Sequence, residues 1–180
     1  MINYVALLRG INVSGQKKIL MAELREVLTK SGIENVQTYI QSGNIIFQSL
    51  ETDKSTLALK IHNAIKLYFG FEVPVLVLTS QELKNIFDSS PFPKEKKENS
   101  YFVMLYSKAD RNLVDDISEL SYPNEEFKIT DKAIYFYCSV GYGKAKLGNN
   151  FFERKLKVTA TARNYKTMVK LLSLSADLIL

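Results

Sequence analysis

Apolar positions along the chain follow two spacings, and these predict the order of the secondary-structure elements. The apolar run at residues 4–9 (YVALLR) predicts a buried strand. A helix is predicted over residues 21–30, where apolar residues recur at helical spacing and Ser31-Gly32 provides a stop. The stretch VQTYIQSGNIIFQS then predicts two strands that meet at the turn dipeptide Ser42-Gly43.

The next stretch completes a recognisable order of elements. Asp53 is a predicted N-cap for a helix that runs to Phe69. The predicted buried face of this helix carries Leu57, Ile61, Ile65 and Tyr68. The β-branched stretch VPVLVLT follows as a strand. The order β-α-β-β-α-β is that of the ferredoxin-like unit, whose two helices cover one face of a four-stranded antiparallel sheet.

The same order partly recurs in the second half of the chain. After a capping-box signature at Thr79–Glu82, the stretch SSPFPKEKKENS is predicted as a linker. A strand (YFVMLY), a helix capped by Asp110, a hairpin (EFKIT and AIYFYC), a helix over 150–157, an extended piece (VTAT) and a helix over 164–176 follow. We therefore predict an α+β plait of two ferredoxin-like halves with antiparallel sheets, the second with an extra C-terminal helix. The predicted boundaries are 1–79, 80–100 for a helix and linker, and 101–180.

Composition excludes several classes of protein. With 46% hydrophobic and 24% charged residues, the chain has the make-up of an ordinary globular protein. No apolar run approaches the length of a membrane span, and the N-terminal residues lack the build of a signal peptide, so we expect a cytoplasmic protein without membrane contact. A single cysteine, Cys138, excludes an internal disulfide and a cysteine-based metal cluster. We expect neither a metal nor a cofactor, and the sequence leaves the oligomeric state open.

The charge distribution singles out one segment. The chain carries a net charge of +5, yet residues 141–170 contain eight basic residues and one acid, a net charge of +7. Aromatic residues are interleaved with these charges, of which Tyr142 and Tyr165 are the expected exposed ones, and this combination is typical of single-stranded nucleic-acid binding. The predicted basic surface comprises Lys144, Lys146, Lys155, Lys157 and Lys166. The alternative is an ordinary solvated face with the phenylalanines in the core.

The loop after the first strand resembles a phosphate-binding P-loop without fulfilling its chemistry. Residues 10–17 spell GINVSGQK, with Gln16 at the position of the lysine and Lys17 at that of the hydroxyl residue. A P-loop needs its lysine on the phosphates and its hydroxyl on magnesium, so a nucleotide hydrolase is not expected. An anion held by backbone N–H groups beside Arg9, Lys17 and Lys18 stays open, as does a plain strand-to-helix connection.

Other reactive side chains point to structural roles. His62 is the only histidine and lies within a predicted helix, which favours a surface or half-buried position. Cys138 ends an apolar strand and is expected in the core. The adjacent acids at 115–116 and 125–126 diverge on a helix or strand, so solvated faces are expected.

Three stretches together resemble a known family. YVALLRGINVSG, TYIQSGNIIF and TATARNYKT are similar, in this order, to stretches of the bacterial domain-of-unknown-function family 1697 (DUF1697). Ser14 and Tyr165 stand where that family often has glycine and tryptophan. The resemblance implies paired ferredoxin-like units and leaves the reaction unassigned. It also implies that the polar residues of the three stretches belong together: Arg9, Gly10, Asn12, Gln41, Ser42, Gly43, Asn44, Thr161, Arg163 and Asn164.

Three functions are compatible with this set of residues. The first is a binding module for nucleic acid or a phosphate-bearing ligand, in which Lys17 joins the set, because amides, hydroxyls and arginines suit recognition better than proton transfer. The second is an enzyme acting on a small anionic metabolite. The third is a structural or partner-binding protein, in which these residues hold the two halves together.

Overall fold

A computed structural model describes residues 1–177 of the chain. The first half contains β1 (Ile2–Leu8), α1 (Met21–Lys30), β2 (Glu34–Tyr39), β3 (Asn44–Ser49), α2 (Lys54–Phe69) and β4 (Val75–Thr79). Its strands form an antiparallel sheet in the order β2-β3-β1-β4. The central strands are buried on both faces, which explains why YVALL is a continuous apolar run.

Local signals place the two helices of this half as predicted, with one exception. In α1, the buried positions are Met21, Leu24, Val27 and Leu28, which are the predicted ones. The carboxylate of Asp53 accepts the N–H groups of Ser55 and Thr56 and caps α2. Tyr68 was predicted on the buried face, and this is wrong. It is 59% exposed and packs edge-on against Phe69 from outside.

The stretch after β4 is more helical than predicted. In α3 (Ser80–Asp88), the predicted capping box is confirmed: Thr79 N–H donates to the Glu82 carboxylate at 3.0 Å, and Glu82 N–H donates to Thr79 Oγ1 at 3.1 Å. Within the predicted linker, a second short helix, α4 (Lys94–Glu98), forms directly after Pro93. Its lysines and glutamates are good helix formers, and proline is tolerated at a helix start.

The second half repeats the order of the first. It contains β5 (Ser100–Leu105), α5 (Arg111–Ser118), β6 (Glu125–Ile129), β7 (Ala133–Cys138), α6 (Asn149–Leu156) and β8 (Ala160–Asn164), followed by α7 (Tyr165–Ala176). The strand order is β6-β7-β5-β8, again antiparallel. The predicted fold of two ferredoxin-like halves with an additional C-terminal helix is confirmed.

The chain forms two compact units with separate hydrophobic cores. The first comprises Met1–Lys84 with the C-terminal residues from Lys170, and the second comprises Asn85–Val169. In the first unit, Asn3 Nδ2 donates to the carbonyl of Ser175 at 2.7 Å, which attaches the end of α7 to β1. Among residues 1–177, the helices are all too short or too polar to cross a membrane.

Candidate functional site

The loop that resembles a P-loop is a tight hairpin in the first unit. Gln16 N–H donates to the carbonyl of Val13 at 2.9 Å, and the two residues between them have positive φ. This backbone geometry is that of a two-residue hairpin turn. Lys17 Nζ donates to the carbonyl of Glu72 at 2.6 Å. The lysine that was predicted to attract an anion therefore also contacts a backbone oxygen.

Asn12 holds both ends of this loop. Its Nδ2 donates to the carbonyls of Ile19 at 3.0 Å and Gln41 at 2.8 Å, and its Oδ1 accepts the N–H of Ile19 at 2.8 Å. One amide side chain thus joins the loop to the turn between β2 and β3. The side chain of Asn12 therefore contacts the backbone of Gln41, and its hydrogen bonds stabilise the loop.

The QSGN turn, residues 41–44, also makes its hydrogen bonds within the first unit. Asn44 is 0% exposed, and its Nδ2 donates to the carbonyl of Tyr39 and to Ser42 Oγ, at 3.0 and 2.9 Å. Gly43 has a φ of +78° and offers its carbonyl to Leu8 N–H at 2.8 Å. These contacts fix the turn against the end of β1, directly before Arg9 and Gly10.

Arg163 is a residue of β8 and not of the helix start, which corrects the sequence-based placement. The extended stretch runs on to Asn164, so that Thr161 and Arg163 lie on one face of the sheet and are 4% and 6% exposed. Arg163 Nη1 donates to Thr161 Oγ1 at 2.7 Å and to the carbonyl of Ala162 at 2.9 Å. Burial lowers the pKa of Arg163 to about 10, partly offset by Tyr106.

Asn164 has the structural role that the sequence left open for it. Its Oδ1 accepts the N–H of Thr167 at 2.9 Å, which is the contact of an N-cap. The five lysines of the predicted basic surface have exposed side chains: Lys144, Lys146, Lys155, Lys157 and Lys166.

The two aromatic residues expected to be exposed are half-buried instead. Tyr142 stacks on Tyr101 with a centroid distance of 4.1 Å, and Tyr165 packs against Phe87 at 5.4 Å. Aromatic rings bury a large apolar area and favour such pairing, which explains why these tyrosines do not project into solvent.

A cavity of about 520 Å³ opens at one end of the second sheet. The strand β5 begins there, whereas β7 and β8 end there, because both run antiparallel to β5. This arrangement gathers four tyrosines from three separate segments of the chain. The tyrosines lining the cavity are Tyr101, Tyr137, Tyr142 and Tyr165.

Aromatic neighbours fix the orientation of these rings. In addition to the Tyr142–Tyr101 and Tyr165–Phe87 pairs, the ring centroid of Tyr137 lies 6.2 Å from that of Phe92. The ammonium of Lys96 lies 5.5 Å from the centroid of the Tyr137 ring. Burial raises the pKa of Tyr101, and Tyr142 raises it further, so the Tyr101 hydroxyl stays neutral at physiological pH.

The loop that carries Tyr142 is anchored on both sides. The Glu125 carboxylate accepts the N–H groups of Lys146 and Leu147 at 2.7 and 2.8 Å, so Glu125 is not the purely solvated acid that was predicted. The Tyr142 hydroxyl accepts the N–H of Asn149 at 3.2 Å. The wall of the cavity is therefore preformed.

Charged and polar groups complete the lining. Lys166 and Glu98 supply one charge of each sign, and the amides of Asn99 and Asn164 lie at the cavity with them. Cys138 also lines it and is a buried, free thiol, as predicted. Only part of this lining was singled out from the sequence, because the strand register alone brings the other residues together. The residues that sequence reasoning found are Asn164, Lys166, Tyr142 and Tyr165.

The single histidine of the chain, His62, belongs to the first unit. His62 is half-buried, as predicted, and its Nδ1 lies 2.9 Å from the carbonyl of Val73. Among residues 1–177, no three histidine, cysteine or acidic side chains are grouped to hold a metal ion.

Comparison with known proteins decides the family. The sequence model of the family described as "Protein of unknown function (DUF1697)" matches residues 1–135. The chain belongs to the DUF1697 family. This match covers the LRGIN and YIQSGN stretches, whereas the TATARNYKT stretch with Asn164 and Lys166 lies beyond it.

A solved structure extends the comparison to nearly the whole chain. A conserved bacterial protein from Streptococcus pneumoniae shares 26% identity with this DUF1697 protein, with a TM-score of 0.76. The alignment covers 97% of this chain and 98% of the other. No curated protein matches the sequence. The paired ferredoxin-like fold is thus shared with a bacterial relative.

Proposed function

We propose that the second unit is a binding module for a phosphate-bearing ligand with a flat ring, that is, a nucleotide or the end of a single-stranded nucleic acid. The observation that carries the proposal is the tyrosine-lined cavity, to which the most basic segment of the chain, residues 141–170, contributes Gly141, Tyr142, Asn164, Tyr165 and Lys166. The DUF1697 family supplies no reaction, so the proposal rests on this geometry.

The rings suit a planar ligand. A base gains about 1–3 kcal/mol by stacking on an aromatic side chain, whatever its identity. Tyr101, Tyr137 and Tyr165 are each held by an aromatic neighbour, so little side-chain entropy is lost when a base binds. The volume of about 520 Å³ is within the range of small-molecule sites and accommodates a nucleotide.

The charges suit a phosphate next to the ring. Lys166 lines the cavity and is exposed, and Lys144 lies in the anchored loop that carries Tyr142. Exposed ammonium groups bind phosphates as point charges, with a strong dependence on salt. Arg163 does not contribute to this surface, because it is buried.

The polar residues of the first unit support a different role. Asn12, Gly43 and Asn44 make contacts that stabilise the loop and the turn themselves. We therefore assign these three residues to the fold of the first unit.

Fluorescence anisotropy of a labelled, mixed-sequence single-stranded oligonucleotide at low salt tests the proposal. We expect saturable binding to the full chain, and competition by adenosine 5′-monophosphate distinguishes a mononucleotide site from one that needs a longer strand. Lys166→Gln is expected to weaken binding and to reduce the salt slope by about 0.7. Lys128→Gln is the matched control, an exposed lysine of β6 that does not line the cavity. No binding, or equal effects of the two variants, would contradict the proposal.

A further inference from the structure

Six of the twelve residues that line the cavity carry a hydroxyl group, and four of these six are tyrosines. The Tyr142 hydroxyl already accepts a hydrogen bond from Asn149. Across the described residues 1–177, the hydroxyls of Tyr101, Tyr137 and Tyr165 have no protein partner, although their rings are packed. Each of these hydroxyls both donates and accepts a hydrogen bond.

Each of the two asparagine side chains that line the cavity uses one of its two polar atoms in a hydrogen bond within the protein. Asn99 Nδ2 donates to the carbonyl of Glu95 at 2.9 Å, which leaves its Oδ1 as an acceptor. Asn164 Oδ1 accepts the N–H of Thr167, which leaves its Nδ2 as a donor. The cavity therefore offers a neutral acceptor and a neutral donor in addition to the phenol groups.

Neutral polar groups outnumber charges in this site. Lys166 and Glu98 are its charged residues, of opposite sign. A ligand with one phosphate pairs with Lys166, and the tyrosine hydroxyls and amide atoms that the phosphate does not engage can pair with neutral donors and acceptors of the same ligand. Sugar hydroxyls are groups of this kind, and the 2′-hydroxyl is the group by which a protein distinguishes RNA from DNA.

We infer that the cavity recognises ribose hydroxyls and so selects ribonucleotides over deoxyribonucleotides. This inference rests on the proposed function. A ligand without the 2′-hydroxyl displaces water from the phenol groups and leaves a polar group unpaired, which is the arrangement that discriminates most strongly between close analogues.

Competition measurements with the full chain test the selection. Adenosine 5′-monophosphate and its 2′-deoxy analogue compete with the labelled oligonucleotide, and we expect the ribonucleotide to bind about tenfold more tightly. Tyr101→Phe, Tyr137→Phe and Tyr165→Phe retain the ring and remove the hydroxyl. At least one is expected to reduce the ratio of the two affinities. Tyr68→Phe, in an exposed tyrosine of the first unit, is the matched control.

The outcomes separate this inference from the proposed function. If the labelled oligonucleotide does not bind, the proposed function is wrong. If the oligonucleotide binds but neither mononucleotide competes with it, the site needs a longer strand, and the inference of selection at a single ribose is overturned. If both bind with equal affinity, or if the ratio is unchanged in all three phenylalanine variants, the cavity binds nucleotides but does not read the sugar, and the inference is overturned. Circular dichroism of each variant confirms that a change in ratio occurs in a folded protein.

Discussion

A β-carbon placed on Gly43 would lie 2.5 Å from the β-carbon of Leu8. The turn between β2 and β3 therefore approaches the end of β1 so closely that only glycine fits, and its φ of +78° also favours glycine. This contact joins two of the stretches by which the chain resembles DUF1697. It explains in steric terms why glycine stands at position 43 of this turn.

Gly43→Ala is expected to lower the free energy of unfolding by about 3 kcal/mol. The new methyl group clashes with Leu8, and an alanine is also strained in the left-handed backbone conformation of this position. Gly10→Ala is the matched control, since Gly10 has a φ of +74° but no atom within 4 Å of the place that a β-carbon would take. It should cost about 1 kcal/mol. Urea unfolding measures both. Equal losses would show that the close approach to Leu8 is not what requires glycine.

The Asn12 side chain is expected to stabilise the first unit. Asn12→Ala removes the contacts with Ile19 and Gln41 and should reduce the free energy of unfolding by about 2–3 kcal/mol. Asn63→Ala, at an exposed position of α2, should change it by less than about 0.5 kcal/mol. Urea unfolding gives both values. Nucleotide affinity should be unaffected in both variants. A loss of affinity in folded Asn12→Ala would instead place Asn12 in the binding site.

Burial of Arg163 predicts a dependence of stability on alkaline pH. The folded-state pKa is about 10, well below the ordinary value of an arginine. Between these values the unfolded chain binds more protons, so the contribution of Arg163 to stability rises with pH. Below about pH 10 the guanidinium is charged in both states and the cost of burying it is fully present.

The difference in free energy of unfolding between the wild type and Arg163→Met isolates this effect, because the other titrating groups are common to both proteins. We expect the difference to shift in favour of the wild type as the pH rises through about 10. A difference that stays constant over this range would contradict the lowered pKa.

The predictable parts of the fold are those that depend on neighbouring residues. Helical spacing identified the buried face of α1, and short polar side chains identified the caps at Asp53 and Asp110, which accept backbone N–H groups as expected. The order of these elements was sufficient to predict the paired ferredoxin-like fold.

The cavity could not be predicted in the same way. Tyr101 and Tyr137 lie in strands whose apolar runs indicate core positions, and their meeting depends on the register of β5 with β7. The resemblance grouped Arg163 with the polar residues of the three stretches, and no signal in the sequence indicated that its side chain would be buried. The strand β8 continues through it, and it becomes buried.

The central claim is that a nucleotide binds in the tyrosine-lined cavity of the second unit. Amide NMR spectra of the isotope-labelled full chain, titrated with adenosine 5′-monophosphate, test it most directly. We predict saturable shifts for Ser100, Gly141 and Lys166, which line the cavity, and unchanged signals for Gly10 and Gly43 of the first unit. Shifts centred on Gly10 and Gly43, with the cavity signals unchanged, would contradict the account.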